Sequence, residues 1–268
     1  MLPLVVVFVV MVTGSLALRH RWAWAAPLTS RWERARPYVR VYVRSSPATF
    51  AYLFVLIVTT WVLRTSTVTV DKQLLWLHST NITHLKDDPV SVLATSAFWL
   101  TGSELVAWIV LFPLVLAPAE KWLGTLRVIV VFVIGHVGAT LVTAAGIAFM
   151  VRHGLAPRRL KDVIDVGSSY GFGAVVGIFS YRLRGRWGLL WAGCWLAAAL
   201  AMVAFDARFA DYGHLVALLI GLALYPLTRV ERVRRHASWP IWRPLTLLVD
   251  AERDRLDVTE QLEHDPDA

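Results

Sequence analysis

Charge is scarce in this chain. Asp, Glu, Lys and Arg make up only 17% of its 268 residues, against about a quarter in a water-soluble domain. That shortage excludes one ordinary soluble core. Cysteine is scarcer still: Cys194 stands alone inside an apolar run, so no intramolecular disulfide can form and the redox compartment leaves no mark. No fixed-period repeat is present, which excludes solenoids. No inverted repeat is evident either and charges inside the apolar runs are few, which argues against a small-molecule transporter. Acidic residues are outnumbered 19 to 27 by basic ones, giving a formal charge of +8, yet no recognition motif accompanies the excess. Nucleic acid is therefore not an expected partner. What the chain has in abundance is hydrocarbon, at 57% hydrophobic residues and a mean hydropathy of +0.56. The expected partner is a lipid bilayer.

Apolar runs fall near 3–18, 48–63, 101–118, 125–150, 169–181, 187–205 and 213–228, several close to the ~20 residues that cross a ~30 Å hydrocarbon core. The last six predict an all-α, polytopic bundle. The first, LPLVVVFVVMVTGSLAL, lacks a basic n-region and meets RHRW at once, so it reads as an extra N-terminal transmembrane segment and not as a cleaved leader. Arg and Lys concentrate before 48, around 121–127, at 182–186 and after 228, which sets those loops and the C-terminus on the cytoplasmic side. The expected organisation is a hydrophobic segment and basic linker over 1–47, a membrane core over 48–228, and a largely disordered tail over 229–268.

The linker interleaves Arg with Trp and Tyr (RWERARPYVRVYVR) and reads as an interfacial stretch with aromatic anchors. The loop after the first core run holds DKQLLWLHSTNITHL, whose helix-like apolar spacing predicts a segment lying on or dipping into the membrane surface.

One stretch is unlike the rest. DVGSSYGFGAVVG at 165–177 opens a membrane segment with serines, a tyrosine and glycines. Ser169, Gly173 and Gly177 recur at every fourth position, as do Gly213, Ala217 and Gly221 in the last run. Such spacing stacks small residues on one helix face, and small faces let membrane helices approach closely. If the two faces meet, Ser169 and His214 come together at the top of the seam. A serine hydroxyl within reach of an imidazole is the minimum for an activated nucleophile. The apolar part of 169–181 is also too short to cross the whole core, so its start is expected below the surface, beside water.

These residues resemble the rhomboid family of intramembrane serine proteases, in the divergent form found in actinobacteria. GSS at 167–169 is similar to the family's Gly-x-Ser nucleophile motif, GHLVALLIG at 213–221 to its last core helix, and EKWLG at 120–124 to the Glu-x-x-x-Gly that closes its second span. The resemblance covers residues 48–228. It implies a six-helix core and a Ser169–His214 dyad. It also implies cleavage of transmembrane or juxtamembrane segments of membrane-protein substrates, with no cofactor or metal, in a bacterial plasma membrane. The alternative is a relative that binds or escorts membrane-protein clients without cutting them.

Departures from the family pattern are specific. Counted back from Glu120, the positions that supply oxyanion donors are Glu104 and Trp108. A carboxylate there repels an oxyanion unless protonated. Tyr170 replaces the glycine after the nucleophile, and Gly173 replaces an aromatic expected to stack on the histidine, so His214 is expected to lack that partner. Gly167, Tyr170, Glu104 and Trp108 are accordingly the expected oxyanion and surrounding residues. Asp165 is a further group able to orient His214 or a water. His136 is expected to bond across helices, and His78 with His84 lacks a third metal ligand nearby.

Overall fold

The computed structural model describes residues 26–101, 104–206 and 208–229, and every regular element among them is helical. The described residues fall into two units, one ending at Ser45 and the other beginning at Ser46. In the first, the basic and aromatic linker forms helix α1 (Ala26–Arg44), with Pro37 inside it. The expected spanning segment at 3–18 and the tail after Arg229 lie outside the described residues.

The second unit runs α2 (Pro47–Thr65), α3 (Val68–Leu77), α4 (Ile82–Asp87), α5 (Pro89–Thr95), α6 (Glu104–Leu123), α7 (Thr125–Arg152), α8 (Ser169–Phe179), α9 (Arg186–Phe205) and α10 (Phe209–Ala223). Helices α2, α6, α7, α9 and, counted on to Arg229, α10 are long and apolar enough to cross a membrane. Helix α8, the fourth of the six core helices in chain order, has 11 residues. At 1.5 Å per residue it reaches roughly 16 Å, about half the hydrocarbon thickness. Short as it is, α8 is the most enclosed helix: Tyr170, Gly171, Phe172 and every residue from 174 to 179 are buried. The chain is thus a polytopic all-α membrane bundle built around a short central helix.

Missing side chains allow that enclosure. A Cβ on Gly135 of α7 would stand 2.2 Å from the Ala174 Cβ, and one on Gly171 would stand 2.4 Å from the Phe132 ring. On the opposite side, Gly221 of α10 lies where a Cβ would meet the Ala174 carbonyl at 2.0 Å. Backbones in contact replace the hydrophobic drive that lipid cannot supply. Helix α9 is more peripheral and is tied to α8 by the Trp191 indole, which donates to the Val176 carbonyl at 3.0 Å.

Glu120 closes the face of the bundle on which α2 begins. Its carboxylate, 1% exposed, accepts from the Ala48 and Thr49 amides at 3.0 and 2.8 Å and from the Thr49 and Thr125 hydroxyls at 2.7 and 2.8 Å. Ala48 and Thr49 belong to the first turn of α2, where amides lack intrahelical partners and the helix dipole favours an anion. Gly124, at φ +88°, then turns the chain into α7. The EKWLG stretch therefore fixes α6 to α2 and α7 at one point.

At the other face, α3, α4 and α5 connect α2 to α6. The expectation of helix over 71–85 holds for DKQLLWL and ITH, but HSTN forms a turn because Asn81 caps α4, its side chain accepting from the His84 amide at 2.9 Å. His78 stacks on Trp99 and bonds the Thr95 hydroxyl at 3.1 Å. His84 packs its ring against Trp76. The two histidines are engaged separately. The connection is pinned to the segment before α8, with the Thr80 amide donating to the Asp165 carbonyl at 2.8 Å and the Gly167 amide to the Ser96 carbonyl at 3.0 Å.

Candidate functional site

Helices α8 and α10 run parallel with a fixed register. Gly173 faces Ala217, where a Cβ would find the Ala217 methyl at 3.3 Å, and Gly177 faces Gly221 and the Leu218 carbonyl. Both pairs are 44 residues apart, and the same offset sets Ser169 level with Gly213 and Tyr170 level with His214. Sequence patterning alone put His214 at the start of its helix. The helix in fact starts at Phe209, because Asp211, buried, accepts from the Arg208 amide at 2.8 Å and caps a first turn that hydropathy does not register.

Tyr170 occupies the seam. A Cβ on Gly213 would stand 2.4 Å from its ring, so only glycine admits the phenol there. The ring meets the His214 imidazole edge to face at 5.3 Å between centroids, within the range of favourable aromatic pairs. The expectation that His214 lacks an aromatic partner is therefore corrected. The partner is next in sequence to Ser169, not four residues on, because the helix register carries position 170 to the histidine. Pairing Gly173 with Ala217 and Gly177 with Gly221 sets Tyr170, and not Ser169, level with His214.

The serine side is looser. Ser169 is half-buried at the first position of α8, and no hydrogen bond joins it to His214, whose Nδ1 is buried without a partner. Ser168, completely buried, lies beside the Tyr52 hydroxyl without hydrogen-bonding geometry, and gives α8 no side-chain cap. The first-turn amides of α8 are consequently free of a capping side chain.

Two neighbours shape this terminus. Gly167, at φ +131°, lies where a Cβ would stand 3.9 Å from Glu104 Oε2, and the other Glu104 oxygen accepts from the Thr101 hydroxyl. The carboxylate is thus held against the turn that leads into Ser169. Trp108 is directed elsewhere. Its ring packs on Phe112 and Phe172 at 5.3 and 5.2 Å, and its Nε1 is buried with no partner. The segment Phe112–Leu116 widens to a π-helix beside this aromatic cluster.

Asp165 reaches the site through Tyr170, whose hydroxyl donates to its carboxylate at 3.4 Å. Thr80 donates to the same carboxylate at 3.1 Å, and the Asp165 amide donates to Ser79 Oγ at 2.8 Å. Burial pushes the Asp165 carboxyl up to about 6, against the opposing pull of these two hydroxyls. The outer connection, Asp165, Tyr170 and His214 thereby form one contiguous chain of contacts. Ser79 and Thr80 were not legible as part of it, since nothing in their sequence spacing points to residue 165. His136 bonds the Ser96 hydroxyl at 3.0 Å, across from α7 to the turn after α5.

A short central helix, sunk in a bundle of spans and meeting a histidine-bearing helix along glycines, defines a polytopic all-α membrane protein. The family described as Rhomboid-like protein matches residues 41–234, and the chain belongs to it. No curated protein and no solved structure matches.

Proposed function

We propose that this protein uses the rhomboid fold to bind the membrane segments of other membrane proteins and does not cleave them. The observation that carries the reading is the Glu104 carboxylate, held by Thr101 against the Gly167 turn that feeds Ser169. Peptide-bond attack builds negative charge on the carbonyl oxygen, and a protease meets it with donors aimed at that oxygen. Here one of the family's two donor positions presents an acceptor. The other, Trp108, spends its ring on Phe112 and Phe172. Loss of a single such donor costs about 10²–10³ in rate. No hydrogen bond joins His214, the partner a nucleophile needs, to Ser169, and its Nδ1 is buried without a partner.

A second reading, intramembrane serine endopeptidase, is favoured by one feature. The uncapped first turn of α8 offers backbone amides and a positive dipole end beside Ser169, and His214 Nδ1 is unsatisfied. In that reading the His214 ring takes the Ser169 hydroxyl proton during attack and returns it to the leaving amine. Helices α8 and α10 start on one face of the membrane. The basic loops at 121–127 and 182–186 support a reading in which the opposite face is the cytoplasmic one of a bacterial plasma membrane.

The test is labelling by a fluorophosphonate serine probe in mild detergent and in proteoliposomes. The binding reading expects no labelling of the folded wild type, with client membrane proteins captured equally by wild type and Ser169→Ala. Labelling that disappears in both Ser169→Ala and His214→Ala would establish the endopeptidase instead.

A further inference from the structure

A cavity of about 710 Å³ lies apart from α8 and α10, between α2, α5 and α7. Its walls come from the first halves of α2 and α7, including Ala51, Val55 and Val133, and from Leu93 and Ala94 of α5. Val55, Ile129 and Val133 on its rim are exposed, so it opens sideways onto lipid. Its walls are almost wholly apolar, so hydrocarbon wets them at less cost than water does. Water is excluded by the same apolar walls. Hydrocarbon must fill it.

The topology selects the occupant. Helices α2 and α7 begin on the same face, and their first halves line the space. Helix α5 belongs to the connection at the other face and closes the cavity from that side. A membrane-spanning helix of a partner would have to pass through both leaflets, and α5 blocks that path. A single acyl chain from the leaflet next to the start of α7 meets no such obstacle. That face is basic. Lys121, Arg127, Arg182, Arg184 and Arg186 lie on its loops, and its buried Glu120 is committed to α2 and Thr125. Arg127 stands in the first turn of α7, directly before the lining residues Val128 and Ile129, and is anchored to the Leu123 carbonyl at 3.1 Å.

We infer that the cavity binds one acyl chain of an anionic phospholipid whose headgroup is held at Arg127. No residue of α8 or α10 lines the cavity, so its test is separate from that of Ser169. Protein purified in mild detergent is reconstituted with phosphatidylglycerol carrying a diazirine on its acyl chain, irradiated, and its adducts mapped by mass spectrometry. Adducts concentrated on Val55, Leu93 and Val133 are expected. Ala51→Phe and Ala94→Phe, which fill the space from positions that face it, should abolish those adducts while the protein remains folded by thermal melting. Arg127→Gln should reduce the preference for phosphatidylglycerol over phosphatidylcholine about fivefold, the effect of one basic residue near a headgroup. Adducts distributed evenly over lipid-facing positions such as Leu189 and Leu200 of α9 would overturn the inference. So would full cavity labelling in both filled variants, or capture of a protein by a photo-crosslinker placed at Val133.

Discussion

Replacing Glu120 tests how this bundle is closed. Four donors converge on its carboxylate, two of them first-turn amides of α2. Hydrogen bonds to a charged group contribute roughly 1.5–3 kcal/mol each, and a buried donor left unpaired costs about 1–3 kcal/mol. The two hydroxyls can rotate to other acceptors, but the Ala48 and Thr49 amides are fixed by the helix. Glu120→Ala should therefore destabilise the protein by about 3–5 kcal/mol, the scale seen when one partner of a buried charged contact is removed. Glu120→Gln keeps the volume and one acceptor oxygen, and turns an NH₂ group toward two of the donors. It should lose about half as much, because a threonine hydroxyl can reverse and accept. At roughly 2–4 °C per kcal/mol for a chain of this size, the melting temperature should fall by about 10 °C in Glu120→Ala and about 5 °C in Glu120→Gln. Melting curves in one detergent at one scan rate make the comparison, since unfolding of membrane proteins is often irreversible. A Glu120→Ala protein that melts within 2 °C of wild type, or a glutamine variant less stable than the alanine one, would refute the reasoning.

Gly221→Val should prevent folding or cost more than about 3 kcal/mol, because its Cβ would lie 2.0 Å from a backbone carbonyl that cannot move aside. Gly193→Val on α9, where a Cβ meets nothing within 4 Å, should change melting by no more than its helix propensity dictates. The Asp165 carboxyl, raised to about 6 from an ordinary 3.8, binds its proton more tightly folded than unfolded. The stability contributed by this group should consequently be fully present below pH 4 and be lost, on the order of 2–3 kcal/mol, as pH rises through about 6. Asp165→Asn should flatten that interval of the melting-versus-pH profile, and a slope that persists in the variant would assign the titration to another group.

Hydropathy was sufficient for the bundle because in lipid each span must satisfy its own backbone, and only a run of apolar residues of the right length can do so. The short run at 169–181 likewise announced a helix that could not cross alone. The rows Gly173–Gly177 and Gly213–Ala217–Gly221 were visible for an equally local reason, the fourfold spacing of residues without bulk. Element ends were less legible. Helix α10 begins before its apolar run does, since a cap made by Arg208 and Asp211 is a hydrogen bond and carries no hydrophobic signature. The consequential contacts required three dimensions. Which residue meets His214 depends on the register between two helices, and a shift of one position, about 100° of rotation, separates Ser169 from Tyr170. The attachment of Asp165 to Thr80, of Glu120 to α2, and of Glu104 to the Gly167 turn joins residues far apart in the chain. Composition and spacing determined that this protein would be a membrane bundle with a glycine-lined seam; tertiary packing alone decided which polar groups that seam brings face to face.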